Sequence, residues 1–327
     1  MLVAAFGGGA LLAILVGALV WRERAQNKHE REFQNSSQEQ GELFAAAKAA
    51  HAKGAGRLAE KLLCAANHPG SQQEAVLRAL VSLEYELEEY DAVLTYCQEL
   101  AQLAPADSLP WLVSAGIYHE NEQVSEALNA YRQALRRDLP AGEVSRVRYQ
   151  IADLSLFIGD LPAARQAVDQ LLAEPPTSPA IELLHARLLR NEGERREALI
   201  VVNRILSTNH DSPSALLLRG EIYLDDGQFV QAAEDLEQVI GSSPFDFRAH
   251  YKLAQAYLRS GEREKAQIHL AKSRQLTDII GEIQVLLFQV RQDPSNRQLR
   301  LRLADLSDQQ GDTETAEYWR NSTADLP

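Results

Sequence analysis

Residues 191–198 read NEGERREA, and in a stretch otherwise made of helix formers the Gly is out of place. The same two small residues return along the chain, in FIGDLPAA at 157–164, DDGQFVQA at 225–232 and RSGEREKA at 259–266. Gly159, Gly193, Gly227 and Gly261 stand 34 residues apart, and Ala164, Ala198, Ala232 and Ala266 follow in step. With 18 glycines in 327 residues, three further matches at one spacing would arise by chance about 2 times in 10,000, so the chain is a repeat array. A Gly closing one helix and an Ala inside the next is the mark of an antiparallel helix pair. The Gly supplies positive φ at the turn, and the Ala lets the two helices approach.

Composition agrees with an all-helical body. The chain is 45% hydrophobic, 24% charged and 6% aromatic, and its long runs of Ala, Leu, Glu, Gln and Arg lose little side-chain entropy in a helix. No part of the body alternates apolar and polar residues at strand period. Because each repeat packs mainly on its neighbours, 327 residues need not mean two globular domains. The net charge of −13 argues against nucleic acid as a partner, since phosphate neutralisation needs Lys and Arg.

Other residues fall in phase with the Gly. Counting it as position 15 of a unit puts Trp111 at position 4, Tyr118, Tyr223 and Tyr257 at position 11, and Tyr131 at position 24. Ala115, Ala152, Ala186, Gly220 and Ala254 fall at position 8, and Pro105, Pro176 and Pro244 at position 32, where a helix must stop. This set resembles the tetratricopeptide repeat, which implies an all-α, right-handed solenoid of helix-turn-helix units. Seven repeats span 40–280, with units at 40–73, 74–107, 108–141, 145–178, 179–212, 213–246 and 247–280, and a partial one occupies 297–327. In the second unit Glu88 and Val93 replace the Gly and the Ala. The three-residue insertion around 141–144 is expected to lengthen a loop. Residues 281–296 are expected to form an extra helix and linker, the helix being the apolar run IIGEIQVLLFQVRQ from 279, which would cover the end of the seventh unit.

Ahead of the array, residues 2–21 carry no charge. At 1.5 Å per residue they make about 30 Å of helix, enough to cross a hydrocarbon core. Trp21 and then Arg22, Arg24, Lys28 and Arg31 follow, without a small-residue cleavage site. The expectation is an uncleaved single-pass anchor at 1–21 and a polar tether at 22–39. The basic flank would place the repeat body in the cytoplasm. Ala5, Gly9, Ala13 and Gly17 form a flat stripe, a candidate for weak self-association through the anchor.

No constellation for catalysis, cofactor or metal is present in the sequence. There is no H-E-x-x-H, G-x-x-x-x-G-K-[ST] or G-x-S-x-G. GAGRLA at 54–59 fits a relaxed dinucleotide fingerprint, but that motif needs a strand before it, and AAAKAAHAK favours helix. The eight histidines are scattered. Cys64 and Cys97 fall at offset positions of successive units and are expected as free thiols. Function then belongs to the surface. The resemblance implies that first-helix positions 2, 5, 9 and 12 line a concave, protein-binding groove. In this chain those positions supply Arg78, Tyr85, Arg146, Tyr149, Arg187, Arg190, Arg248, Tyr251 and Gln255.

Arg187, Arg190 and Tyr149 are expected to share a cationic patch that suits acidic protein or peptide segments. The layout of anchor, basic flank and repeats is similar to that of bacterial envelope-assembly factors. The reading is a membrane-anchored scaffold that recruits partner proteins and is not an enzyme. The alternative is an extracytoplasmic assembly subunit of an envelope, secretion, pilus or cytochrome-maturation machinery.

Overall fold

A computed structural model of the chain describes residues 38–67, 73–175 and 177–323. The expected anchor at 1–21, nearly all of the tether and Pro176 lie outside these residues. Among the described residues there are sixteen α-helices and no strand, and no helix is long and apolar enough to cross a membrane. The chain divides into two compact units at the Pro175–Pro176 junction.

Each unit is a run of four helical hairpins. In the first these are α1 (Gln38–Ala52) with α2 (Gly56–Ala66), α3 (Gln73–Glu86) with α4 (Tyr90–Leu103), α5 (Leu109–Glu120) with α6 (Val124–Leu135), and α7 (Ala141–Ile158) with α8 (Leu161–Leu172). In the second they are α9 (Pro179–Asn191) with α10 (Arg195–Thr208), α11 (Pro213–Asp225) with α12 (Phe229–Ser242), α13 (Phe247–Ser260) with α14 (Arg263–Gln292), and α15 (Arg297–Gln309) with α16 (Thr313–Asn321).

Every hairpin turns on one left-handed residue. It is Gly54, Gly159, Gly193, Gly227, Gly261 or Gly311 in six of them, with φ from 74° to 91°, and Glu88 or Glu122 in the other two, with φ of 59°. The next residue donates its N–H back to the carbonyl five residues earlier, at 2.8–2.9 Å in all eight hairpins, as in Glu194 to Leu189 and Gln123 to Tyr118. This bond satisfies a carbonyl the helix end would otherwise orphan, and it needs the left-handed residue to bring the chain round. The GAGRLA stretch is one of these turns: Gly54 is its left-handed residue, and helix α1 precedes it.

The alanine five residues on is the contact that closes each hairpin. Ala59, Ala127, Ala164, Ala198, Ala232, Ala266 and Ala316, with Val93 in the second hairpin, are at most 1% exposed. Gly220 takes the complementary place on α11, where an added Cβ would sit 2.9 Å from Leu236. Small side chains at both points let the helix axes come together, and the large apolar residues pack around that crossing.

Two expectations are corrected here. The insertion at 141–144 does not lengthen a loop. Pro140, with φ −57° and ψ 145°, caps α7, and the extra residues go into that helix, which reaches 18 residues. Residues 279–292 are not a separate helix but the distal half of α14, one helix of 30 residues. Between Arg263 and Gln292 no residue takes positive φ and no Pro interrupts, so nothing ends the helix until Asp293 and Pro294. That distal half buries Ile279, Leu286 and Val290 against Leu303 and Leu306 of α15, so it does cover apolar surface at this end of the second unit.

A left-handed residue with a Cβ is strained by about 1–2 kcal/mol, and Glu88 and Glu122 carry that strain. Replacing Glu122 by Gly is expected to stabilise the first unit by about 0.5–1 kcal/mol after the flexibility added to the unfolded chain is discounted. Gly193→Ala should cost the second unit a similar amount. Thermal melts followed by circular dichroism check both; a fall in midpoint for Glu122→Gly would show the turn is not strained.

Candidate protein-binding face

In the second unit the first helices α9, α11 and α13 run side by side, and charged side chains stitch them together. Arg190 on α9 donates through Nη1 to Glu221 Oε2 at 2.6 Å and through Nε to Asp225 Oδ2 at 2.7 Å, both on α11. The other oxygen of Glu221 meets Lys252 Nζ of α13 at 3.2 Å. Behind this ladder Arg219 grips the buried Asp235 with two bonds of 2.7 and 2.8 Å and reaches Asn203 at 2.8 Å. Parallel, two-point contacts of this kind fix geometry as well as contribute energy. The contacts of Arg190 and Lys252 with Glu221 and Asp225 hold consecutive repeats in register.

The structure gives the expected groove residues different tasks. Arg190, whose side chain is 20% exposed, is a strut between repeats. Arg78 on α3, at 10%, is held within its own repeat, by Glu74 and by Asp107 at 3.1 Å. Neither presents an open guanidinium, because each is the cation that neighbouring carboxylates require. Tyr85 is half-buried, its ring edge-on to Tyr90 with centroids 5.7 Å apart, and burial pushes its phenol above the ordinary range.

Arg146 lies 3.3 Å from Glu143, one turn back on α7, which also carries Tyr149. On α5 the same register holds Leu109, Leu112 and Gly116, all buried. The patch expected from Tyr149, Arg187 and Arg190 draws on both units, since Tyr149 is on α7 and the arginines are on α9. On α13 the register is open: Tyr251 is 47% exposed, and Arg248, Gln255 and Leu258 share its face, one turn apart in succession.

One pairing had no signal in sequence. His250 of α13 and His269 of α14 face each other with Nδ1 atoms 2.9 Å apart, and His250 Nε2 lies 3.0 Å from the Pro244 carbonyl. That carbonyl only accepts, so His250 carries its proton on Nε2 and accepts from His269 Nδ1–H. Burial, then the neighbouring His250, hold His269 below the ordinary imidazole range, while Glu237 opposes them. A separation of 19 residues across a hairpin matches no helical spacing. Among the described residues no three ligands gather to hold a metal.

Both cysteines are free. Cys64 is exposed, with Sγ 3.6 Å from the Tyr96 hydroxyl. Cys97 is buried, and burial pushes its thiol up to about 12.

Comparison with known proteins agrees with this geometry. Family models described as tetratricopeptide repeat match residues 117–179 and 223–275. A solved tetratricopeptide repeat protein from Parabacteroides merdae superposes with a TM-score of 0.57 at 21% identity, over 73% of this chain and 94% of that one. MamA from Desulfovibrio magneticus, residues 41 to its end, gives 0.36 at 21% identity, over 57% and 97%. Among curated proteins, the TPR repeat-containing thioredoxin TTL4 of Arabidopsis thaliana is 31% identical over 91 residues. Those residues are 28% of this chain and only 13% of that protein. Residues 117–179 and 223–275 match tetratricopeptide repeats, and the remaining hairpins repeat the same turn and packing geometry.

Two outcomes follow from these positions. Arg190→Glu would set a third carboxylate beside Glu221 and Asp225. It should cost the second unit about 2 kcal/mol, a fall in melting midpoint of roughly 4–8 °C. A conservative Arg190→Lys should recover part of it. A midpoint unchanged by Arg190→Glu would mean the ladder contributes nothing. For the cysteines, a thiol reagent should modify one residue in the native protein, Cys64, and two after denaturation, with or without reductant. Fast native modification of Cys97 would contradict its burial.

Proposed function

We propose that the chain is a membrane-anchored scaffold that binds protein segments on its first-helix face and organises them at the membrane. The carrying observation is the contrast on that face. Arg190, Glu221, Asp225 and Lys252 satisfy one another, whereas on α13 Tyr251 stands exposed beside Gln255, and Arg248, more than half exposed, lies 3.5 Å from Asp246 at the start of its own helix. Tyr and Arg are the side chains that most often anchor protein interfaces, since each combines apolar area with directed donors. A tetratricopeptide framework supports binding of peptides or proteins.

The membrane part of the proposal rests on sequence. Twenty uncharged residues at 2–21, ending in Trp21 and followed by a basic flank, support an anchor with the repeats on the cytoplasmic side. Arg248 favours acidic segments as partners.

The test is crosslinking in the native membrane, with partner capture quantified for Arg248→Glu combined with Tyr251→Ala. Capture should fall tenfold or more, equivalent to about 1.4 kcal/mol. Arg196→Glu, on exposed second-helix surface, should leave it intact. Equal capture by the groove variant and the parent protein would place recognition elsewhere. Full-length protein should also stay with membranes through an alkaline carbonate wash, and its release would remove the anchor from the proposal.

A further inference from the structure

The long helix α14 has a second face that the fold does not use. Asp278, Gly281, Val285, Phe288 and Gln292 recur at spacings of three and four, so they form one stripe along the helix, and all five are exposed. Val285 is 56% and Phe288 63% exposed, although the opposite side of the same turns is buried against α15. Gly281 is the second anomaly. Glycine in a helix interior is destabilising relative to Ala, yet an added Cβ here would meet nothing within 4 Å. No positive φ requires it either. Nothing within this chain's own fold explains a Gly at that point.

We infer that this stripe is the contact between two copies of the chain, with α14 packed antiparallel on α14 about a two-fold axis at Val285. The stripe is self-complementary in a way that a contact with an unrelated partner has no reason to be. A two-fold near Val285 sets each Phe288 opposite Gly281 of the partner subunit, a large knob over the one flat place on the face. Val285 meets Val285 of the partner subunit at the axis. Asp278 falls beside Gln292 and Arg291 of the partner subunit, so a carboxylate meets an amide and a cation at each end. These matches need only that paired positions sum to about twice the axial residue, which is the rule for an isologous contact. The Gly brings the helices close, as small residues do wherever backbones must approach. From Asp278 to Gln292 the seam is about 21 Å long at 1.5 Å per residue, a modest interface of the kind that forms reversibly. It is separate from the face on α13 proposed to bind partners, and does not depend on it.

Cysteine crosslinking in the full-length chain tests this directly. With helix axes 8–10 Å apart and Cα atoms about 2.3 Å from each axis, residues facing each other at the seam have Cα atoms within the roughly 7 Å a disulfide tolerates. The background is Cys64→Ser, since Cys97 is buried. Val285→Cys in that background should form a disulfide-linked dimer under mild oxidation. Its yield should be at least tenfold above that of Glu317→Cys, an exposed position on α16 off the seam. Adding Phe288→Asp, or filling the flat place with Gly281→Leu, should return the yield to that control. Circular dichroism must show both variants folded, as expected for exposed sites. A yield no higher than the control, or one insensitive to both variants, would overturn the inference, as would crosslinks formed only with a different protein. Pairing of the membrane segments would not mimic the result, because it is untouched by Phe288→Asp.

Discussion

The left-handed residue at each hairpin turn is the constraint on which the rest of the fold depends. It lets the following N–H return to the carbonyl five residues back, and that closure fixes where the second helix starts. Only with the second helix so placed does the alanine one turn into it reach the first helix. The close crossing, the packed core and the spacing of repeats all follow. Glu88 and Glu122 show that the conformation, rather than glycine itself, is the requirement. Where a side chain is present the backbone still adopts it, because the surrounding contacts outweigh the strain.

Stacking adds a second constraint, which competes with binding for the same side chains. A repeat protein must hold adjacent units in register with contacts between first helices, and those helices also carry the face proposed to bind partners. In the second unit the register contacts are ionic. Arg190 spans Glu221 and Asp225, and Glu221 passes the connection to Lys252. Every charge in that chain of contacts has its counter-charge within the protein. The binding capacity of the face therefore lies with residues outside the ladder.

Much of this was legible in sequence, for a physical reason. Positive φ and close helix approach restrict the residue type severely, so Gly and Ala leave a periodic trace, as Gly159 through Gly261 and their alanines do. Helix-stopping Pro105 and Pro244 leave another. Weaker requirements leave none. The insertion at 141–144 could extend a loop or a helix with equal ease, and Pro140 decided for the helix. The break expected before Ile279 needed a residue that ends helices, and none is there. Arg78 and Arg190 read as open anchors because position alone cannot show that Asp107, Glu221 and Asp225 converge on them from neighbouring elements. The His250–His269 pair is tertiary in origin, joining two helices at a separation no local rule marks.

On the face of α13 proposed to bind partners, electrostatics would set the character of recognition. A guanidinium already bonded to two carboxylates offers little net field, and the remaining field of an exposed Arg248 is screened within about 8–10 Å at physiological salt. Directed contacts from Tyr251 and Gln255 are not screened in that way. Tyr251 contributes apolar area with a hydroxyl at its tip, and Gln255 offers both a donor and an acceptor one turn along. Affinity on such a face comes chiefly from burying the aromatic ring and satisfying the amide, while Arg248 biases which segments approach. A chain of net charge −13 that relied on charge alone would need a dense basic groove, and the ladder has already engaged Arg190 and Lys252.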